Sequence, residues 1–232
     1  MKELTIWRTY HDDSQLVDYS LKEEGAIKLF KGNVLVEGEN INHLNQFYSE
    51  MTTMYWVWKN NVRSKKVGFC HYRRVFSRVI DIQEGECQVM HINHFGFPIF
   101  RQYKSAHNYQ DYYDVVDILN DFYGKDNPYA AYMMNSNIFI PFCSFIMHYE
   151  DFASLCEFFF PVLFEYDRRH GLNLIAENYQ RKAERDFRHD NVNYQRRTMS
   201  FLAERLISCY IVNHLKPICV STLNSFQLQP KQ

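Results

Sequence analysis

The sequence predicts an α/β fold, and three observations carry the prediction. Short apolar runs with strand character, Leu4-Thr5-Ile6-Trp7 and Val67-Gly68-Phe69-Cys70, alternate with amphipathic segments. The 232 residues are 46% hydrophobic, enough for a substantial core. Glycine (8) and proline (6) are scarce, which argues against a loop-rich chain.

Leu4–Trp7 reads as the first strand, followed by the polar turn Tyr10-His11-Asp12-Asp13-Ser14. A helix is expected at Leu16–Glu24, with strand character at Ala26–Phe30 and Val34–Val36 and a polar loop at Glu37–Asn45. Phe47–Asn60 reads as a helix: Phe47, Tyr48, Met51, Met54, Tyr55 and Trp58 share one face, and Trp56 on the other side implies cover on both. The basic turn Lys59–Lys66 leads into the strand Val67–Cys70. Strands are expected at Cys87–Ile92 and Ala130–Met134, and helices at Gln110–Tyr123, Glu150–Arg169 and Arg197–His214. Gln180–Arg197, dense in charge, reads as an exposed helix or a mobile segment.

The most informative stretch is Val67-Gly68-Phe69-Cys70-His71-Tyr72-Arg73-Arg74, a buried strand running out into cations. Ligands of α/β sheets sit beyond the carboxyl ends of strands, and guanidinium forks grip phosphate oxygens with charge-assisted hydrogen bonds. His71, Arg73 and Arg74 are therefore candidates for a phosphate-bearing ligand. If extension continues, alternation puts His71 and Arg73 on one face and Tyr72 and Arg74 on the other. Glu50, a carboxylate on an otherwise apolar helix, needs a partner such as these arginines. The competing reading is a pair of surface arginines and an edge glutamate.

Bulk properties narrow the classes. A net charge of −1 gives no field favouring nucleic acid or an anionic membrane, so local patches must carry any anion binding. The six cysteines include no CxxC pair and read as buried thiols in a reducing compartment. The N-terminus lacks the apolar core of a signal peptide and no stretch is long enough to span a membrane, so a cytoplasmic location is expected. His11-Asp12-Asp13 reads as a turn rather than a metal site. His91 and His94 lie in strand and loop, where their spacing loses ligand geometry. No metal site is expected.

Two blocks carry a resemblance. Gly38-Glu39-Asn40-Ile41-Asn42 through Tyr55-Trp56-Val57-Trp58-Lys59-Asn60, and Val67-Gly68-Phe69-Cys70-His71-Tyr72-Arg73-Arg74-Val75-Phe76, resemble the glycosyltransferase-like domain of bacterial capsular and exopolysaccharide gene clusters. Glu39, Asn42 and Met51 depart mildly from that pattern. Arg197–Leu206, and Asn135–Ile140 with Tyr149, are similar to later blocks of the family, so the match spans roughly residues 4 to 215.

The resemblance implies a GT-A-like, Rossmann-type mixed sheet flanked by helices, in a single domain with a helical C-terminal part. Residues 1–80 would form the nucleotide-sugar-binding half, and 81–232 the acceptor half with the C-terminal helices. An ordinary GT-A strand ends in Asp-x-Asp, which holds a divalent cation on the donor diphosphate. This chain has His-Tyr-Arg-Arg there, so the resemblance implies that His71, Arg73 and Arg74 replace the metal, with no cofactor required.

It further implies base and ribose contacts from Tyr10 and His11, and nucleotide or sugar contacts from Asn40 and Asn45, with helix capping the competing role for Asn45. Glu204 and Glu50 are the catalytic candidates, Glu204 as base for the acceptor hydroxyl. His107, Asp111 and Arg205 are acceptor-side candidates. Without the family, Glu204 and Arg205 would be an exposed charge pair.

The implied activity is hexosyl transfer from a nucleotide sugar to a polysaccharide or a lipid-linked glycan. A lipid-linked acceptor would bring the chain peripherally to the inner membrane face. Two alternatives stand beside it: a non-catalytic nucleotide-sugar or glycan-binding protein with the same fold, and, less favoured, a nucleic-acid module built on interleaved aromatics and arginines. Oligomeric state is not legible.

Overall fold

The computed structural model describes residues 1–186, 191–220 and 225–227. Its strands are β1 (Lys2–Tyr10), β2 (Ile27–Lys31), β3 (Ser64–His71), β4 (Arg74–Phe76), β5 (Glu86–Val89), β6 (Asn93–His94), β7 (Ile138–Phe139), β8 (Phe145–His148), β9 (Lys216–Cys219) and β10 (Ser225–Gln227). The helices are α1 (Ser14–Asp18), α2 (Asn45–Tyr48), α3 (Met51–Lys59), α4 (Ile99–Ala106), α5 (Tyr109–Tyr123), α6 (Pro128–Asn135), α7 (Tyr149–Arg169), α8 (Ala176–Glu184), α9 (Val192–Gln195) and α10 (Thr198–His214).

The fold is mixed α/β. Six strands form one sheet in the order β2-β1-β3-β8-β5-β9. β2, β1 and β3 are parallel, β8 runs antiparallel to both β3 and β5, and β9 is parallel to β5. β4 pairs with β10 and β6 with β7 in two small ribbons. Strands from both halves of the chain share the large sheet, because β8 lies between β3 and β5.

The continuous apolar run of β3 follows from its position. Val67, Phe69 and Cys70 are buried in the middle of the sheet, where both faces are covered. Gly68 is there for space. A Cβ at this residue would lie 2.8 Å from Ile146 Cγ1 and 3.2 Å from Ile6 Cγ1, on the two flanking strands.

α3 lies between the sheet and α7. Trp56 packs edge-on against Trp7 of β1 at 5.6 Å, while Trp58 stacks on Phe160 of α7 at 5.6 Å. The two-sided cover expected from the tryptophans is thus a real sandwich. Five of the cysteines are buried, Cys219 is half-buried, and all six are free thiols.

Several expected elements differ. Ala130–Met134 is not a strand but the middle of α6, which begins with Asn127 accepting from the Ala130 N–H at 2.8 Å and with Pro128 in the first turn. That cap-and-proline start outweighs the local β-like composition. The helix at Leu16–Glu24 stops at Asp18, and Ser20 adopts positive φ. Val34–Val36 forms no strand; the Val34 carbonyl accepts from Asn42 Nδ2 at 2.7 Å within a folded loop. Phe47–Asn60 is two helices broken at Ser49. The start of Gln180–Arg197 belongs to α8, which is anchored by buried Tyr179 and Ala183 rather than exposed throughout, while its residues 187–190 lie outside the described residues.

Because Gly68 is boxed in by two central strands, Gly68→Val is expected to destabilise the protein by about 1–3 kcal/mol through overpacking. Denaturant unfolding with an unchanged midpoint would contradict this account of the packing.

Candidate functional site

The chain leaves β1 for β2 on one side and returns to β3 on the other, so the sheet reverses its winding at the carboxyl ends of β1 and β3. Crevices in α/β sheets open at such points. Here the crevice has two adjoining lobes. One, of about 380 Å³, lies between the turn after β3, the Pro141–Cys143 loop, α4 and the start of α10. The other, of about 280 Å³, lies beside the end of β1 and the junction of α2 with α3. Glu50, His71, Arg73 and Arg197 line both.

Glu50 reaches this place because of its neighbour. Ser49 takes φ 48° and ψ −127°, a conformation unfavourable for a residue with a Cβ, and this ends α2 and restarts the chain as α3. Such a backbone persists only when its surroundings fix it. Asn45 Nδ2 donates to the Ser49 carbonyl at 3.1 Å and to Thr52 Oγ1 at 3.0 Å. Ser49 Oγ meets Ser200 Oγ at 2.9 Å and accepts from Arg197 at 3.2 Å. The kink delivers Glu50 into the cleft as the residue preceding α3.

The turn after β3 overturns the alternation argument. Extension stops at His71, Tyr72 and Arg73 turn, and β4 starts at Arg74. Both Arg73 and Arg74 therefore line the larger lobe instead of pointing to opposite faces.

Their guanidinium groups are held by π faces. Arg74 lies 3.7 Å from the Phe142 ring centroid, Arg73 lies 5.4 Å from that of Tyr72, and Arg197 lies 5.7 Å from that of Phe201. Among the described residues, no carboxylate pairs with Arg73, Arg74, Arg196 or Arg197. Their charge is left for something else.

Between these cations sits a coupled pair. His71 Nε2 is 3.3 Å from Glu50 Oε1. The Arg73 backbone N–H donates to His71 Nδ1 at 3.2 Å. Because that N–H can only donate, Nδ1 is the acceptor, and in the neutral ring the proton sits on Nε2, facing the carboxylate. Burial, followed by Arg73 and Arg197, pushes the His71 pKa far below the ordinary histidine range. Burial likewise raises the Glu50 pKa, against the pull of Arg197, His11 and Arg73. A neutral imidazole beside a carboxyl group of raised basicity is an arrangement that can take a proton from a bound hydroxyl.

The cleft gathers many of the residues singled out from sequence. Glu50, His71, Arg73, Arg74, His107, Glu204 and Arg205 line the larger lobe. His11 and Asn45 line the smaller one, along with Glu50, His71 and Arg73. Glu204 and Arg205 are not an exposed pair: Arg205 is buried and bonds Glu204 at 2.7 Å and Gln102 Oε1 at 2.7 Å. Glu204 also accepts the Phe142 N–H at 2.6 Å, at the start of a loop where Phe142 and Cys143 both have positive φ. This carboxylate is occupied in holding that loop, which weakens its candidacy as a free base.

Asn45 does not cap a helix end; its amide ties the kink. Three candidates lie outside both lobes. Tyr10 alternates away from Thr9, which faces the smaller lobe. Asn40 donates to the Val36 and Gly38 carbonyls at 3.0 and 2.9 Å and organises its own loop. Asp111 is buried elsewhere, accepting from Tyr166 and Lys182 at 2.7 Å each.

Two cleft arginines, Arg196 and Arg197, were not among the candidates, because they end a segment read as an exposed helix or a mobile segment. A signal existed: Arg197, Ser200 and Glu204 follow helical spacing onto one face.

Among the described residues, the group of potential metal ligands that lies together is Asp111, Asp114 and His170. Lys182 and Tyr166 bond Asp111, and His170 bonds Asp114 at 2.9 Å, so internal partners already serve these groups. Asp13 pairs with Lys31, and His91 bonds Asn93.

No curated protein matches the sequence. In fold, the chain is similar to the apo structure of the WbbM bifunctional glycosyltransferase, with a TM-score of 0.71 at 17% identity, covering 94% of this chain and 44% of that one. It thus spans less than half the length of that relative. The family model described as "Domain of unknown function (DUF4422)" matches residues 16–96 and 81–215, which is most of the sequence. The chain belongs to the DUF4422 family.

Proposed function

We propose that this chain is a glycosyltransferase that moves a sugar from a nucleotide-sugar donor to a glycan or lipid-linked acceptor in surface polysaccharide synthesis. The observation that carries the reading is the set of guanidinium groups that, among the described residues, have no carboxylate partner, around a buried glutamate at the carboxyl ends of parallel strands. Fold similarity to a protein described as a bifunctional glycosyltransferase supports it.

Arg73, Arg74 and Arg197 would take the donor diphosphate. As the bond from the anomeric carbon to the diphosphate oxygen breaks, negative charge grows on the leaving group, and preformed cations stabilise it. These arginines do the work that a divalent cation on Asp-x-Asp does in a GT-A enzyme, so turnover is metal-independent. Glu50 takes the proton from the acceptor hydroxyl as its oxygen bonds the anomeric carbon. The proton ends on Glu50 and the electron pair on the nucleoside diphosphate. His71 orients the carboxylate through its Nε2–H.

The lobes divide the substrates. The smaller, with His11, Asn45 and Arg196, suits the nucleoside end. The larger is walled by Phe95, Phe139, Phe142 and Phe201 with Asn93 and Gln102 among them, a mixture of flat apolar faces and hydrogen-bonding groups that suits sugar rings. The resemblance suggests a hexose. Among the described residues, no helix is long and apolar enough to cross a membrane. A lipid-linked acceptor would be met by peripheral docking.

Turnover of nucleotide sugars, followed by nucleoside diphosphate release, should survive EDTA and fall roughly 10²–10³-fold in Arg73→Ala. Full dependence on manganese or magnesium would remove the arginine-for-metal mechanism, and donor binding without release would leave a binding protein.

Glu50→Gln should abolish the acid limb of the pH–rate profile, with a loss of about 10²–10⁴-fold. In the wild type that limb should lie above the ordinary carboxylate value of 4.5, because activity needs the ionised form and burial delays ionisation. The same burial makes the ionised carboxylate a stability cost that is absent below that ordinary value and grows as pH rises through the raised pKa. Glu50→Gln should therefore melt no lower than wild type at neutral pH. A melting point lowered together with activity would reassign Glu50 to the fold.

A further inference from the structure

Arg8 is a cation in the middle of β1, paired in register with Cys70 of β3. It is 5% exposed. Its Nη2 donates to the Tyr72 carbonyl at 2.6 Å, and its Nε has no partner among the described residues. Among the described residues no carboxylate pairs with it. A guanidinium buried this way is costly to the fold and is better replaced, for stability alone, by an apolar side chain.

What Arg8 holds is the peptide between Tyr72 and Arg73. That peptide's carbonyl points to Arg8, and its N–H is the one that donates to His71 Nδ1. Reversing the peptide would withdraw the N–H that makes Nδ1 an acceptor, and with it the reason for the Nε2 proton to face Glu50. The same turn carries Arg73 and Arg74 into one lobe.

We infer that Arg8 is a positioning residue that acts through the Tyr72–Arg73 peptide: it fixes the His71 tautomer, thereby the hydrogen bond to Glu50, and it fixes the turn that aims the paired arginines. The inference rests on the reading of the cleft given above for its effect on turnover, and on geometry alone for its effect on the imidazole. Glu50 is faced by His71 at the end of β3 and Arg73 just after it, His11 after β1 and Arg197 before α10, with Tyr72 and the Cys70 and Cys143 thiols nearby. Arg8 does not touch it. Any change in Glu50 behaviour on altering Arg8 must pass through the turn.

The test uses the whole protein with Arg8→Met and Arg8→Lys. Nitrogen-15 NMR of the histidine rings reads the tautomer without any substrate. The expected result is Nε2–H for His71 in wild type, a mixture of tautomers in Arg8→Met, and partial return in Arg8→Lys, which keeps one donor. Arg8→Met should melt at or above the wild-type temperature, whereas kcat/KM should fall about 10²-fold, as for a misplaced catalytic geometry, with the Glu50 acid limb displaced. A purely structural role would instead lower the melting point and leave the limb where it was.

An unchanged His71 tautomer in Arg8→Met overturns the inference, whatever the activity. If Arg8→Met does not fold, Arg8→Leu takes its place, and wild-type ring signals with a wild-type pH profile in that donor-less variant overturn it as well. Absence of turnover with every nucleotide sugar in the wild type would defeat the proposed function instead, while the imidazole spectra would still decide the role of Arg8.

Discussion

Guanidinium groups held in place by something other than carboxylates are what this cleft depends on. An arginine paired with an acid is positioned and neutralised together, and a ligand anion must then compete for it. Here, among the described residues, Phe142, Tyr72 and Phe201 supply positioning without neutralisation. The aromatic rings take up the planar cation, and the positive potential remains in the cavity. The high aromatic content of the chain, 17%, therefore serves the site as well as the core.

The cost of concentrating cations appears in the two groups between them. His71 is kept neutral first by burial and then by the arginines around it. Glu50 gains attraction from those arginines but loses more by leaving water. The strained backbone at Ser49 belongs to the same economy of form. A regular helix through residues 45–59 would have kept its apolar stripe continuous and left Glu50 at its edge. Breaking that helix gives up hydrogen bonds and conformational ease, and Asn45 of α2, Thr52 of α3 and Ser200 of α10 make the break the stable choice.

Legibility in the sequence followed the range of the interactions. Long amphipathic helices, such as Tyr149–Arg169 and Thr198–His214, and the apolar strand at Val67–Cys70 were readable because periodicity and burial are local patterns. The α6 segment was misread because its cap and proline signal was passed over in favour of composition. The cleft was half readable. His71, Arg73 and Arg74 announced themselves by adjacency, but the geometry that brings both arginines to one side is set by a turn, and no alternation rule foresees where a strand will stop. Arg197 comes from the far end of the chain, and only folding brings it beside Ser49. Arg8 carried no signal at all, since it lies just past the expected strand Leu4–Trp7 and before the polar turn that follows.

β8 is inserted between β3 and β5, although it is made long after the first and immediately before α7. During synthesis, the hydrogen-bonding groups along one side of β3 must wait for residues 145–148 before they find their partners. A ribosome-bound chain thus carries an open, apolar β edge over dozens of codons, the kind of surface on which nascent proteins aggregate or engage chaperones. The architecture that unites the two halves of the cleft also makes the protein's birth a late and cooperative event.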